Sequence, residues 1–258
     1  MPLFIYNASK TKRKLIFIMF SKSFKLFKIF GISIELDASW FIIFFFVVWT
    51  LSTSLYKLNL PGITFNINIT LSVVTAILFF SSVIFHELAH SIIAIKEGLA
   101  VKKITLFVFG GAALIDDEPK TPGTEFRISV LGPASSLFLA LFFFIFSQIF
   151  ENYQYLHLPG LFLFNINLIL AFFNLIPGFP MDGGRIFRSF IWYISGNFLK
   201  STKIAAALGK IIALTFVSIG LYSIVITGLS GLWLILIGLF LYKAADGSLK
   251  QAQIKDTC

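Results

Sequence analysis

A chain of 258 residues that is 57% apolar and only 13% charged, with 33 phenylalanines, cannot be a soluble domain, because no soluble domain could expose that apolar surface. Its length suits about six membrane spans joined by short loops and leaves no room for a large soluble domain. The net charge of +9 points to basic loops on the cytoplasmic side rather than to nucleic acid, and the single cysteine, Cys258, excludes an intrachain disulfide framework and lacks the three following residues of a prenylation signal.

Residues 1–30 carry Lys10, Lys12, Arg13, Lys14, Lys22, Lys25 and Lys28 and no acidic residue. Lysines interrupt the apolar residues from 15 to 30, which does not fit the uninterrupted core of a signal peptide and suits a basic amphipathic segment on an anionic membrane surface. Six apolar stretches follow, at about 39–56, 70–95, 128–150, 158–176, 204–226 and 229–244. The last is short, and Gly228-Leu229 before it predicts a tight helical hairpin. The expected fold class is therefore an all-α polytopic membrane protein.

Basic residues set the orientation. With the N-terminus inside, Lys96, Lys102, Lys103, Lys120, Arg127, Arg185, Arg188, Lys200, Lys203, Lys243, Lys250 and Lys255 fall on the inner side, and Lys57 falls in an outer loop. Both termini are then expected to be cytoplasmic.

The second stretch contains His86-Glu87-Leu88-Ala89-His90 in an apolar run that Lys96 and Glu97 end. A polar side chain at membrane depth costs several kcal/mol unless it has a partner or a task. Imidazoles four residues apart on one helical face can hold a zinc ion, and the glutamate between them can work on the water bound to it. His86 lies ten residues before Lys96. At a rise of about 1.5 Å per residue, this puts the site roughly 15 Å below the cytoplasmic surface.

A catalytic zinc takes three protein ligands and keeps one position open. The remaining histidine, His157, is expected in an outer loop on the wrong side of the membrane. Asp182 is the better third ligand: the fourth stretch breaks at Pro177, Gly178 and Pro180, and the aspartate precedes Gly183 and Gly184. Broken backbone at membrane depth is tolerated where it is buried in protein or lines a wet cavity. Asn174, one turn before the break, can hydrogen-bond a carbonyl. The plain reading of this segment is an interfacial loop with an N-capping aspartate.

These segments resemble the site-2 protease family of intramembrane zinc metalloproteases, from about residue 31 to 246. His86–His90 is similar to its first motif and Asn174-Leu-Ile-Pro-Gly-Phe-Pro-Met-Asp-Gly-Gly184 to its second. Residues 109–136, with paired glycines and a Gly-Pro, also resemble the family, as does the entry to the first stretch from Gly31. Many members have asparagine where this chain has Ser136. The absence of PDZ and CBS domains is similar to the minimal, sporulation-protease-like branch. The resemblance implies one Zn2+ held by His86, His90 and Asp182, with Glu87 as general base and Asn174 as a substrate-contacting or oxyanion-side residue. It also implies a division into residues 1–30, a membrane-embedded metalloprotease domain at 31–246 and a cytoplasmic tail at 247–258.

The activity expected is cleavage of transmembrane segments in regulated intramembrane proteolysis. The expected partners are a single-span membrane-protein substrate, the lipid bilayer and a membrane regulator. Residues 102–114 have the content of strands, with Gly110 and Gly111 at a bend, and predict a short membrane-associated β-hairpin whose edge pairs with unwound substrate. A plain cytoplasmic loop is the competing reading. Two further functions compete. A metal transporter would need intramembrane histidines or carboxylates in the third, fifth or sixth stretch, where there are none. A non-catalytic partner-binding member would not need Glu87.

Overall fold

The computed structural model describes residues 5–6, 23–115 and 117–256. Lys10, Lys12, Arg13, Lys14, Lys22 and Cys258 lie outside the described residues. The chain divides into two compact units, one of residues 1–118 and 131–172, the other of residues 119–130 and 173–258.

Six helices among the described residues are long and apolar enough to cross a membrane: Trp40–Asn59, Phe65–Lys96, Pro122–Ile149, Gln154–Asn174, Phe198–Ile226 and Leu232–Ile254. All six expected spans are present. Their helices are α1 (Trp40–Thr50, continued by a π-helical turn and a short helix to Asn59), α2 (Phe65–Lys96), α3 (Pro122–Ile149) and α4 (Gln154–Asn174), then α6 (Phe198–Thr227) and α7 (Leu232–Asp256). A seventh helix, α5 (Asp182–Ser195), stands between α4 and α6. The third span starts six residues before its apolar run because the helix signal there is local, not hydropathic. Pro122 takes the first helical position, and the Thr121 hydroxyl accepts from the Thr124 amide at 3.2 Å.

In the first unit, β1 (Ile5–Tyr6), β2 (Ser23–Ile29), β3 (Ile32–Asp37), β4 (Val101–Phe107) and β5 (Gly110–Ile115) form one sheet in the order β1-β5-β4-β3-β2. The hairpin expected near residues 102–114 is β4 and β5, turning through Val108 and Phe109, and it belongs to this wider sheet. Strands β3 and β4 pair in parallel, Ser33 opposite Lys103 through Leu36 opposite Leu106, with α1 and α2 as the crossover between them. The two-residue period of β3 buries Ile32, Ile34 and Leu36 and leaves Ser33 and Glu35 half-buried. Leu36 and Leu106 pack against Phe80 and Val83 of α2, which anchors the sheet one turn before the histidines.

Helix α2 has 32 residues. At about 1.5 Å per residue it is longer than the hydrocarbon core of roughly 30 Å requires. Its buried residues, Asn68, Ser72, Thr75, Ala76, Phe80, Ser82, Val83, His86, Glu87, His90, Ser91 and Ala94, recur about every three or four residues and are mostly polar. This inverts the soluble pattern, because lipid solvates the apolar face and protein must satisfy the polar one. Tyr56 and Thr75 share a 2.6 Å hydrogen bond that ties the end of the first span to α2. The Asn167 amide of α4 donates to Ser82 Oγ of α2 at 3.2 Å.

In the second unit, residues 175–181 leave α4 as a tight loop and enter α5. A Cβ on Gly183 would lie 2.2 Å from the Leu175 carbonyl oxygen, so the loop can fold onto the first turn of α5 only over a glycine. Phe179 of the loop packs with Ala205, Ala206 and Ala245 of α6 and α7. Arg188 of α5 lies over the rings of Phe179 and Phe198 at 4.9 and 4.5 Å and pairs with buried Glu125 of α3.

Candidate metal centre

Helix spacing sets the first pair of donors. His86 and His90 are one turn apart on the buried stripe of α2, and both imidazoles are almost wholly inaccessible. Their Nε2 atoms lie 3.2 Å apart, with the rings 78° from coplanar. A tetrahedral zinc with bonds of about 2.0–2.1 Å sets two ligand nitrogens about 3.3–3.4 Å apart, so the pair has the spacing such an ion demands.

The space over these nitrogens is kept by a missing side chain. A Cβ on Gly132 of α3 would lie 1.9 Å from His90 Nε2 and 2.8 Å from His86 Nε2. Only glycine leaves that cradle open. One turn further along α3, Ser136 Oγ lies 2.8 Å from His86 Nδ1, and Ser136 is fully buried. The donor set and the cradle both fit a metal ion.

Glu87 is fully buried on the same stripe. Its neighbour is β5: a Cβ on Gly111 would meet Glu87 Cγ at 2.7 Å and Cδ and Oε1 at 3.1 Å. The sheet therefore supports the carboxylate through bare backbone. Gly110 opens β5 opposite Phe107, with φ 129°.

The first unit thus brings His86, Glu87, His90, Gly110 and Gly111 to one end of α2 and the sheet packed on it. Asn174 and Asp182 belong to the second unit, at the two ends of the 175–181 loop, and both are fully buried. Asp182 is the first residue of α5. His157 is engaged elsewhere, its Nδ1 2.9 Å from the Ser147 carbonyl. Gly132 was not singled out by sequence reasoning; the signal was its Gly-Pro pair inside an apolar span, a place where glycine is costly unless something approaches closely.

The sequence matches peptidase family M50 over residues 74–158 and 154–218. It is 39% identical over 233 residues to a Synechocystis protein, covering 88% of this chain and 60% of that one. It is also 39% identical over 237 residues to a zinc metalloprotease of Methanocaldococcus jannaschii, covering 90% of this chain and 62% of the relative. The chain spans 56 to 62% of the length of the first curated relatives it matches. The solved structure of a site-2 protease from M. jannaschii superposes with a TM-score of 0.61 at 39% identity, covering 88% of this chain and 95% of that one. A multi-pass membrane chain with the paired imidazoles of His86 and His90 flanking Glu87, matched by sequence and by structure to these proteins, belongs to peptidase family M50, the site-2 protease family.

Proposed function

We propose that this chain is an intramembrane zinc endopeptidase that cuts transmembrane segments of membrane-protein substrates. The observation that carries the reading is the pair of Nε2 atoms 3.2 Å apart under Gly132, with Glu87 between the two histidines on the same buried stripe. His86, His90 and Asp182, all three buried, hold one zinc ion. When bound there, zinc lowers the pKa of a water toward neutrality and polarises the scissile carbonyl.

The remaining roles fall to side chains. Glu87 takes the proton from the attacking water and then delivers it to the amine that leaves. Its burial keeps bulk water from competing for that carboxylate and strengthens its interactions. Asn174 offers an amide donor to the substrate carbonyl or to the oxyanion that develops on it.

A helical substrate hides its carbonyls in its own hydrogen bonds, so it must unwind before it is cut. The hairpin supplies a partner for the unwound strand. β5 pairs with β4 along one side, and on the other side it pairs with β1 only at Leu114 and Ile115 among the described residues. The edge from Gly110 to Ala113 can then add a substrate strand beside Glu87. Photo-crosslinks from residues 110–113 to a trapped substrate support this placement; crosslinks confined to other elements contradict it.

Both termini and the site's nearer surface are cytoplasmic in this reading, from the distribution of basic residues. The substrate is a single-span protein, released to the protease under a membrane regulator. The test is co-expression with tagged single-span substrates. Wild type cleaves, Glu87→Gln does not, and Asp182→Asn loses both cleavage and zinc. Full zinc retention without Asp182 removes it from the ligand set.

A further inference from the structure

We infer that Ser136 is a positioning residue for the metal site, its hydroxyl holding the His86 ring by Nδ1 in the orientation that turns Nε2 toward the ion. The inference rests on the reading of His86 as a zinc ligand. Helix α3 touches both nitrogens of this ring. Gly132 faces Nε2, and Ser136, one turn later on the same face, reaches Nδ1 at 2.8 Å. Both side chains are buried, at 0% and 1% exposure, so this contact is made away from bulk solvent.

A neutral imidazole carries one proton. A ring that binds metal through Nε2 carries its proton on Nδ1, and Ser136 Oγ at 2.8 Å is placed to accept it. The opposite tautomer places the proton on Nε2, where His90 Nε2 lies 3.2 Å away, and closes the metal position. A histidine ligand gains both orientation and basicity from a partner on its other nitrogen, and losing such a partner typically weakens metal binding by about 10–100-fold. Here the partner is a serine hydroxyl.

The test uses the full chain in detergent micelles, with apparent zinc affinity measured by chelator competition and the visible absorption of the Co2+-loaded protein recorded beside it. Ser136→Ala removes the hydroxyl. Ser136→Thr and Ser136→Val form a matched pair of equal volume that differ in it, and they decide the matter if the alanine variant does not fold. The alanine and valine variants are expected to bind zinc about 10–100-fold more weakly with shifted Co2+ bands, and the threonine variant to stay within about threefold of wild type. Equal affinities for Thr and Val overturn the role, because packing alone then explains the contact. Full zinc binding by His86→Ala overturns the ligand assignment instead.

Discussion

Replacing Gly132 with alanine adds a single methyl group, and its position decides the outcome. The new Cβ would stand 1.9 Å from His90 Nε2, 2.3 Å from its Cε1 and 2.8 Å from His86 Nε2. Ordinary carbon–nitrogen contact begins near 3.4 Å, so the His90 ring must retreat by 3.4 − 1.9 = 1.5 Å and that of His86 by 3.4 − 2.8 = 0.6 Å. Metal–ligand distances tolerate only about 0.2 Å. Loss of an outer partner alone typically costs 10–100-fold, so displacing a ligand itself should cost more than about 100-fold in zinc affinity. The fold should persist. Overpacking costs about 1–3 kcal/mol, against which glycine to alanine in a helix returns up to about 1 kcal/mol. Zinc per chain is measured after dialysis against chelators of graded strength, together with helix content and thermal midpoint. Wild-type zinc affinity in Gly132→Ala, with helix content intact, refutes the cradle.

Gly111→Ala pushes on Glu87 Cγ, which must give by 3.4 − 2.7 = 0.7 Å; the turnover number for cleavage should fall by about tenfold or more while zinc affinity stays at wild type, since about 1 Å of misplacement costs up to about 100-fold. Arg188→Met leaves Glu125 charged and buried and should destabilise the chain by about 3–5 kcal/mol, with Arg188→Met/Glu125→Gln recovering much of the loss in a double-mutant cycle. Glu35 titrates in the sheet. Burial pushes its carboxyl up, but hydrogen bonds from Lys103 at 2.7 Å and Ser23 at 2.6 Å, with the charges of Lys103 and Lys25, outweigh burial and leave it below the ordinary value of 4.5. Its folded value is the lower one, so its stabilisation is present above 4.5 and is lost as pH falls through the depressed folded value. The contribution is at most about 1 kcal/mol for so accessible a pair. The thermal midpoint of Glu35→Gln should therefore drop less than that of wild type on acidification, and an equal drop contradicts the assignment.

The spans were legible because lipid imposes one rule on every stretch of the sequence, enough apolar residues in a row to cross it. The His86–His90 pair was equally legible, because helical spacing alone puts residues i and i+4 on one face. Helix α5 was not. Asp182-Gly183-Gly184 reads as a turn, and glycine is a poor helix former; close packing of the loop onto these residues overrides that propensity, as the 2.2 Å approach at Gly183 demonstrates. The sheet around the β4–β5 hairpin was hidden for another reason. Its parallel pairing joins residues 33–36 to 103–106 across two membrane spans, and no local pattern encodes a partner so far away. Ser136 stands out in the sequence only against the pattern of the family the chain resembles. Its contact with His86 depends on how α3 packs on α2, which sequence spacing does not reveal.

In the proposed function Glu87 does chemistry rather than holding metal. Cleavage of a single-span substrate and zinc content should be measured on one purified sample each of wild type and Glu87→Gln. About one zinc per chain is expected in both proteins, as a site built on three protein ligands without Glu87 requires. Cleavage is expected of the wild type alone. Cleavage by Glu87→Gln at the wild-type rate, or a wild type that cleaves with no zinc bound, would contradict this role.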